Sequence, residues 1–466
     1  MKIQIRGGVV YDPKNQVAGE KKDIFVENGS IVGEFSNPDK VIHATGKTVV
    51  PGGIDIHSHI ATHGLNLARF FHHFYLIKEI GHIYAEMGYI YVNEPLMTLP
   101  TASHVHHELS SIPLIDTSAL LVLDLRDLWR QIKSGKKKEI EGILLHLIRI
   151  TKAIGLKIYF PFVKYESKKA WHIQKNISAR KSLNFFSELD RDKFPKITLH
   201  TYPELLCEEI HDPSIFHFAH IGSGIDSEEK YNKALELLDR GATADLGLFD
   251  FEQNLRVGTG QSESEGNFSV DIGLQRPLVF SKEKLSIQTG AYYAMKLALE
   301  ADISRICFSS DSPSGASFYS YPRLFSWLMS AKLRPTMLGM DLPAYEYSIS
   351  DLVRVTRLNP AQVLGLSRRG HLGIGADADI AIYDFNGCLN LEELEEKLGH
   401  CQFLLKGGRV IIDDFETVEG NAEKKTYCRR GRDFDDEILR DTFRYSSLRH
   451  ENLRVDEAFT NREVEV

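Results

Sequence analysis

Between residues 53 and 365 the chain alternates short apolar runs with longer segments of helical period, and this rhythm restricts the fold more than any other feature. Residues 138–154 place Ile140, Ile143, Leu144, Leu147, Ile148, Thr151 and Ile154 on one helical stripe, and Gly155 stops the helix before the apolar run LKIYFPF. KITLH (196–200) and IFHFAH (215–220) read as further short strands. Asp226 and Glu229 form a capping-box pattern opening a helix to Arg240, which Gly241 closes ahead of ATADLGLF. TGAYYAMKLALEA then reads as a helix and RICFSS as a strand. Strands alternating with helices over about 300 residues predict an α/β fold, a (β/α)8 TIM-like barrel with its functional residues at the C-terminal strand ends.

Both flanks are of β type. In KIQIRGGVVYD and DIFVENGSIVGEF, Asn28-Gly29 between apolar runs is a strong two-residue hairpin signal, and KTVV (47–50) leads into Pro51-Gly52-Gly53. HLGIGADADIAIYDF (371–385) and FLLKGGRVII (403–412) show the same succession of strand, glycine turn and strand. The simplest arrangement joins residues 1–52 and 366–425 in a small β-sandwich beside a barrel of 53–365, with 426–466 as a charged tail carrying a solvated or partner-facing helix.

Composition excludes several classes. The 466 residues are 42% hydrophobic and 26% charged, close to the globular average, so a disordered or fibrous chain is excluded. A formal charge of -8 offers no general attraction for nucleic acid or an anionic membrane. The five cysteines lie far apart with no CxxC pair, which argues against a disulfide scaffold or thiolate zinc site and fits a reducing compartment. The N-terminus lacks the apolar core of a signal peptide, and no run of about 18 apolar residues occurs. The expectation is a cytoplasmic protein with no nucleic-acid or membrane partner.

The residues that carry chemistry stand at the ends of the apolar runs. In Gly53-Ile-Asp-Ile-His57-Ser-His59, residues two apart on a strand face the same side, so His57 and His59 can offer two imidazoles to one metal. Neutral imidazole is a common zinc ligand, and a bare HxH is equally compatible with two ordinary strand-end histidines. Lys157 lies in a strongly apolar strand, where an unpaired ammonium is costly to bury. Burial lowers a lysine's pKa and frees the amine to react, for example with carbon dioxide, giving an anionic carbamate able to bridge two cations. The competing reading is a lysine snorkelling from a strand end. His200 and His220 each end a short strand and together make a candidate second metal site, although each alone reads as structural. Asp311, in SSDSPSG, can bind metal and take a proton from water; read singly, Asp-Ser-Pro also starts helices.

The order HxH, Lys, His, His, Asp on successive strand ends, between flanking β segments, resembles the amidohydrolase superfamily. That resemblance implies two divalent metal ions, zinc being the expected identity. One would be held by His57, His59, N6-carboxylated Lys157 and Asp311, the other by Lys157, His200 and His220, with a hydroxide between them as nucleophile and Asp311 as the catalytic proton acceptor. The segments VVPGGIDIHSHIA, HVHHELSSIPLID (104–116), CFSSDSPSGASFYSYPRLFSWLMS (307–330) and RGHLGIGADADIAIYD (369–384) narrow the likeness. Together they are similar to the A-component family of formylmethanofuran dehydrogenase and of its bacterial counterpart, the formyltransferase/hydrolase complex. The block around DSP, YPR and WLMS is the discriminating part.

The resemblance implies hydrolysis, or the reverse formation, of the N-formyl amide of formylmethanofuran in one-carbon metabolism. Methanofuran would be the carrier, formate the product, and the other subunits of the complex the partners. His104 and His106 are candidates for substrate contact, against the reading of functionless surface histidines. Tyr321 and Arg323 are candidates for meeting an anionic tail of the carrier, against a structural ion pair. Two loops depart from the family: HGLNLARFFHHF (63–74) shortens, and FPFVKYESKKAW (160–171) replaces a Trp- and Gly-rich segment. The alternatives are a free-standing cyclic amidase and a non-catalytic scaffold subunit; the DSP and YPR block speaks against the first, and the altered loops permit the second.

Overall fold

The structure is a computed structural model that describes residues 1–62, 76–161, 163–165, 175–247, 255–257, 278–280, 285–312, 316–335, 338–386, 393–418, 420, 423–444 and 450–466. The departing loop 63–74 and most of 160–171 therefore lie outside the described residues.

The apolar runs form eight barrel strands, numbered along the barrel: β1 (Gly53–Asp55), β2 (Tyr89–Met97), β3 (Asp116–Leu123), β4 (Gly155–Ile158), β5 (Ile197–His200), β6 (Phe216–Ala219), β7 (Thr243–Asp245) and β8 (Ile306–Cys307). Each pairs in parallel with the next, from β1 through to β8. Helices intervene: α1 (Ile77–Glu86) after β1, α2 (Ala102–Ser111) after β2, then α3 (Leu125–Ser134) and α4 (Lys137–Thr151) after β3. They continue with α5 (Ala179–Ser187) after β4, α6 (Glu228–Asp239) after β6, α7 (Leu285–Glu300) after β7 and α8 (Tyr321–Met329) after β8. This is the barrel that the alternation predicts.

Local differences have physical reasons. The stripe of α4 is buried as read, but left-handed Lys152 (φ 53°) ends the helix ahead of Gly155. At α6 the cap is Ser227, whose hydroxyl accepts from the Lys230 amide, while Asp226 takes the Lys230 ammonium at 2.7 Å instead.

A nine-stranded sheet of its own draws on both flanks of the barrel: Lys2–Asp12, Val17–Glu27, Ser30–Val32, Lys40–His43 and Thr48–Pro51 combine with Ile380–Tyr383, Phe403–Lys406, Arg409–Asp413 and Glu416–Thr417. The two sets meet where Thr48–Pro51 pairs antiparallel with Ile380–Tyr383, around a separate core that includes Ile3, Ile24, Val49, Ile380 and Leu405. Asn28 (φ 51°) and Gly29 (φ 83°) make the expected tight turn, with Glu27 opposite Ser30.

The expected solvated tail is different. Lys425–Cys428 joins the barrel sheet beside the start of β3, pairing Thr426 with Thr117, and Arg462–Glu465 adds outside it. The anchor is Asp116, the first residue of β3, which accepts from Lys406 Nζ and the Lys425 amide at 2.8 Å each and from Arg369. The helix Asp436–Thr442 is not solvated on all sides: Leu439 is fully buried and Thr442 meets Gln131 of α3. The segment is therefore tied to the barrel by strand pairing and apolar burial as well as solvated.

Candidate metal centre

All six expected ligands gather at the C-terminal end of the barrel. His57 and His59 follow β1, Lys157 is inside β4, His200 ends β5, His220 follows β6 and Asp311 follows β8. His57 Nε2 and His59 Nε2 lie 3.5 and 3.4 Å from Asp311 Oδ1, and one ligand atom from each of these residues falls within 4.8 Å of the others. Ligands on a tetrahedral zinc with arms of about 2.05 Å stand about 3.3 Å apart, so the spacing suits a cation. His57 Nε2 is buried and makes no hydrogen bond, as expected of an atom reserved for a metal. A second pair stands beside this trio: His220 Nε2 is 3.0 Å from His200 Nδ1, with ring centroids 4.6 Å apart. The His57 and His220 rings are 5.2 Å apart, so the two groups form one cluster.

Electrostatics favour the ligating form at several of these groups; at His59 burial is outweighed by the bonds to Asp311 and Glu94, which raise the imidazole to about 9. Burial lowers Lys157 to about 8, against the pull of Asp311, Asp245 and Glu94. About a tenth of the side chain is then amine at neutral pH, against far less than a hundredth for an ordinary lysine. Burial holds His200 and His220 below their ordinary value, which keeps the imidazoles neutral. Burial opposes ionisation of Asp311, yet the bond from His59 holds its carboxyl at about 2. His220 (φ 36°) and Asp311 (φ 45°) are both left-handed, a conformation costing about 1–2 kcal/mol for a side-chain-bearing residue. The two ligands are thus held where the backbone alone would not put them.

Several buried residues that the sequence reading passed over complete the site. Glu94 in β2 faces His59 Nδ1 at 3.4 Å and accepts the amides of Ala61 and Leu96 at 2.9 Å each. Asp245 at the end of β7 faces His57 Nδ1 at 3.5 Å and accepts from His217 Nε2 (3.1 Å), the His220 amide (2.8 Å) and Ser309. Asp55 lies beneath His57, accepting its amide at 3.1 Å and the hydroxyls of Tyr84 and Ser310 at 2.7 Å each. Tyr159 stacks on His200 with centroids 4.0 Å apart and 15° between planes. A carboxylate inside an otherwise apolar strand was the available signal for Glu94 and Asp245.

The four candidates for substrate contact make the following contacts. His104 is exposed on α2 and faces Glu108 at 3.6 Å. His106 is buried, its Nε2 bonded to the Thr151 carbonyl of α4 at 2.8 Å. Tyr321 is buried with its ring 4.6 Å from that of Tyr89, and Arg323 pairs with Glu395 at 3.4 Å.

Residues 268–412 match the Amidohydrolase family model. Protein FwdA of Methanocaldococcus jannaschii is 27% identical, the alignment covering 99% of this chain and 98% of that one. The FhcA component of the formyltransferase/hydrolase complex Fhc of Methylorubrum extorquens is 27% identical, over 90% of this chain and 89% of its own. The crystal structure of that organism's FhcABCD complex with methylofuran contains a chain that superposes with a TM-score of 0.83 at 22% identity, covering 100% of both. With the barrel, the flanking sheet and the ligand order in place, the chain has an amidohydrolase-type fold and is similar along its whole length to FwdA and to the FhcA component.

Proposed function

We propose that this chain is a metal-dependent amidohydrolase which cleaves, or in reverse forms, the N-formyl amide of formylmethanofuran or a closely similar carrier, releasing formate. It would work in the cytoplasm as one subunit of a multisubunit assembly of the formyltransferase/hydrolase type. Its working unit would be a barrel of 53–365 flanked by a composite β domain of 1–52 and 366–425. The observation that carries the reading is the convergence of His57, His59, Lys157, His200, His220 and Asp311 on one barrel end. The likeness to FwdA and the FhcA component supports the choice of carrier.

His57, His59 and Asp311 would hold one divalent cation, zinc by preference, and His200 and His220 a second. Lys157, as its N6-carbamate, would be shared between them. When bound, such cations acidify water and polarise the formyl carbonyl. Asp311 is the one carboxylate of the ligand set, held ionised, so it accepts the proton of the attacking water and passes it to the departing amine nitrogen. Neutral His200 and His220 keep a lone pair on the ring for ligation. The burial of Lys157 favours the amine that adds to carbon dioxide, with loss of one proton, to give the carbamate.

The test is formate release from formylmethanofuran by the chain assembled with its partner subunits, alongside elemental analysis. Near-stoichiometric zinc with formate release is the expected result. Metal without formate release would overturn the carrier, whereas a metal-free chain whose complex is indifferent to Asp311→Ala would leave only a scaffolding role.

A further inference from the structure

The two halves of the ligand cluster are supported by different means. In the first, each histidine presents Nε2 to Asp311 while its other nitrogen faces a fully buried carboxylate: Asp245 for His57 at 3.5 Å, Glu94 for His59 at 3.4 Å. Those carboxylates are fixed in turn. Glu94 is pinned by the amides of Ala61 and Leu96, and Asp245 by His217, the His220 amide and Ser309. In the second half the supports are neutral. His220 Nδ1 is bonded to the Ser223 hydroxyl at 2.7 Å, and His200 is held by its face-to-face stack on Tyr159.

An anion facing the outer nitrogen keeps the proton there, leaves the inner nitrogen free and makes it a stronger donor; a hydroxyl or an aromatic face does this less. The buried carboxylates also leave the first half with a surplus of negative charge that a cation relieves. Asp245 has a wider reach, since it orients the His57 ring through Oδ2 and fixes the His220 main chain through Oδ1.

We infer that Glu94 and Asp245 are positioning residues that make the His57–His59–Asp311 half the tighter cation site, so that the protein loads its two cations in order and passes through a singly loaded form with His200 and His220 still free. This rests on the metal-centre reading above. Glu94 serves the first half alone, Tyr159 and Ser223 the second alone, and Asp245 both.

The experiment titrates cobalt(II) into metal-stripped protein, read by visible absorption and by bound-metal stoichiometry, with thermal unfolding of each stripped variant as the folding control. Wild type should bind two ions in two resolved steps. Glu94→Gln should weaken the first step by about 10–100-fold and leave the second in place, because outer partners of metal ligands contribute on that scale. Tyr159→Leu should weaken only the second step, and Asp245→Asn both. Two ions bound in a single unresolved step, or a Glu94→Gln variant whose first step is unchanged, would overturn the inference while leaving the metal centre intact. A wild-type chain that binds no cobalt would instead remove the metal centre itself. Should Asp245→Asn fail to fold, Glu94→Gln and Tyr159→Leu still decide the matter.

Discussion

The main-chain amide of Asp311 donates to the carbonyl of His57 across 2.9 Å, and the same two residues bring Oδ1 and Nε2 to 3.5 Å. One pair thus serves both the backbone and the candidate site. Asp311→Ala keeps the main-chain bond and removes the carboxylate. Formate release by the assembled complex should fall by about 10²–10⁴-fold, the usual contribution of a general acid–base group, with the far-ultraviolet circular dichroism unchanged. An activity within tenfold of wild type would rule Asp311 out as the proton acceptor.

Removal of divalent cations by a chelator should abolish formate release and lower the melting temperature, and zinc should restore both. At a free zinc concentration 100 times the dissociation constant, binding to the native state alone contributes about 2.7 kcal/mol. Identical melting with and without zinc would contradict a metal centre.

Asp116 joins three parts of the chain, receiving Arg369, Lys406 and the Lys425 amide in full burial. Asp116→Ala takes buried Lys406 from its carboxylate and leaves Arg369 with Asp379 and Asp377 alone, and should cost about 3–5 kcal/mol in urea unfolding. Burial alone would raise this carboxyl, but Arg369 and Lys406 hold it below its ordinary value. A depressed folded pKa means that stability is present above about pH 4 and lost as pH falls below it. That acid loss should be smaller in Asp116→Asn than in wild type, and equal slopes would argue against the assignment.

His106 has the same sign in a higher pH window. Burial lowers it to about 4 from 6.5, so the folded chain resists protonation that the unfolded chain accepts. Stability should decline as pH drops from 6.5 toward 4, by up to about 3 kcal/mol from this residue. His106→Gln should flatten the decline, read from unfolding midpoints across that range.

Gly247 has φ 61°, and a Cβ placed there would stand 2.9 Å from Cβ of His220. Gly247→Ala should cost about 1–2 kcal/mol in strain and also weaken the second cation step by moving that ring. Gly46, at φ 77° with open space around it, is the control: Gly46→Ala should show the strain and leave cation binding alone.

Most of the ligands are legible because they lie at the end of an apolar run, where strand periodicity fixes the face and a polar residue stands out, His57 and His59 two apart, His200 and His220 closing KITLH and HFAH; Lys157 is legible as the one charge inside such a run. Glu94 and Asp245 were missed for the converse reason. Each is a single acid within a strand, and only the fold sets it against the outer nitrogen of a histidine from another strand. The four substrate candidates rest on likeness and polarity; Tyr321 packs against Tyr89, and His106 meets the Thr151 carbonyl. The tail was misread because KTYC is short and set among charges. What makes it a strand is Asp116, whose partners come from residues 369, 406 and 425 at once.

Among the described residues no strand ladder joins β8 to β1; the two edges meet through the amide of Asp311 on His57 and the amide of His59 on the Ser312 carbonyl. Every residue of that seam is a candidate ligand or its immediate neighbour. The barrel is therefore a hoop whose clasp, which the bonds of Ser310 to Asp55 reinforce, is the candidate metal centre. Springing the clasp releases the cation, and seating the cation fastens the hoop, so amide exchange at Asp311 and His59 and the departure of the metal should keep the same clock.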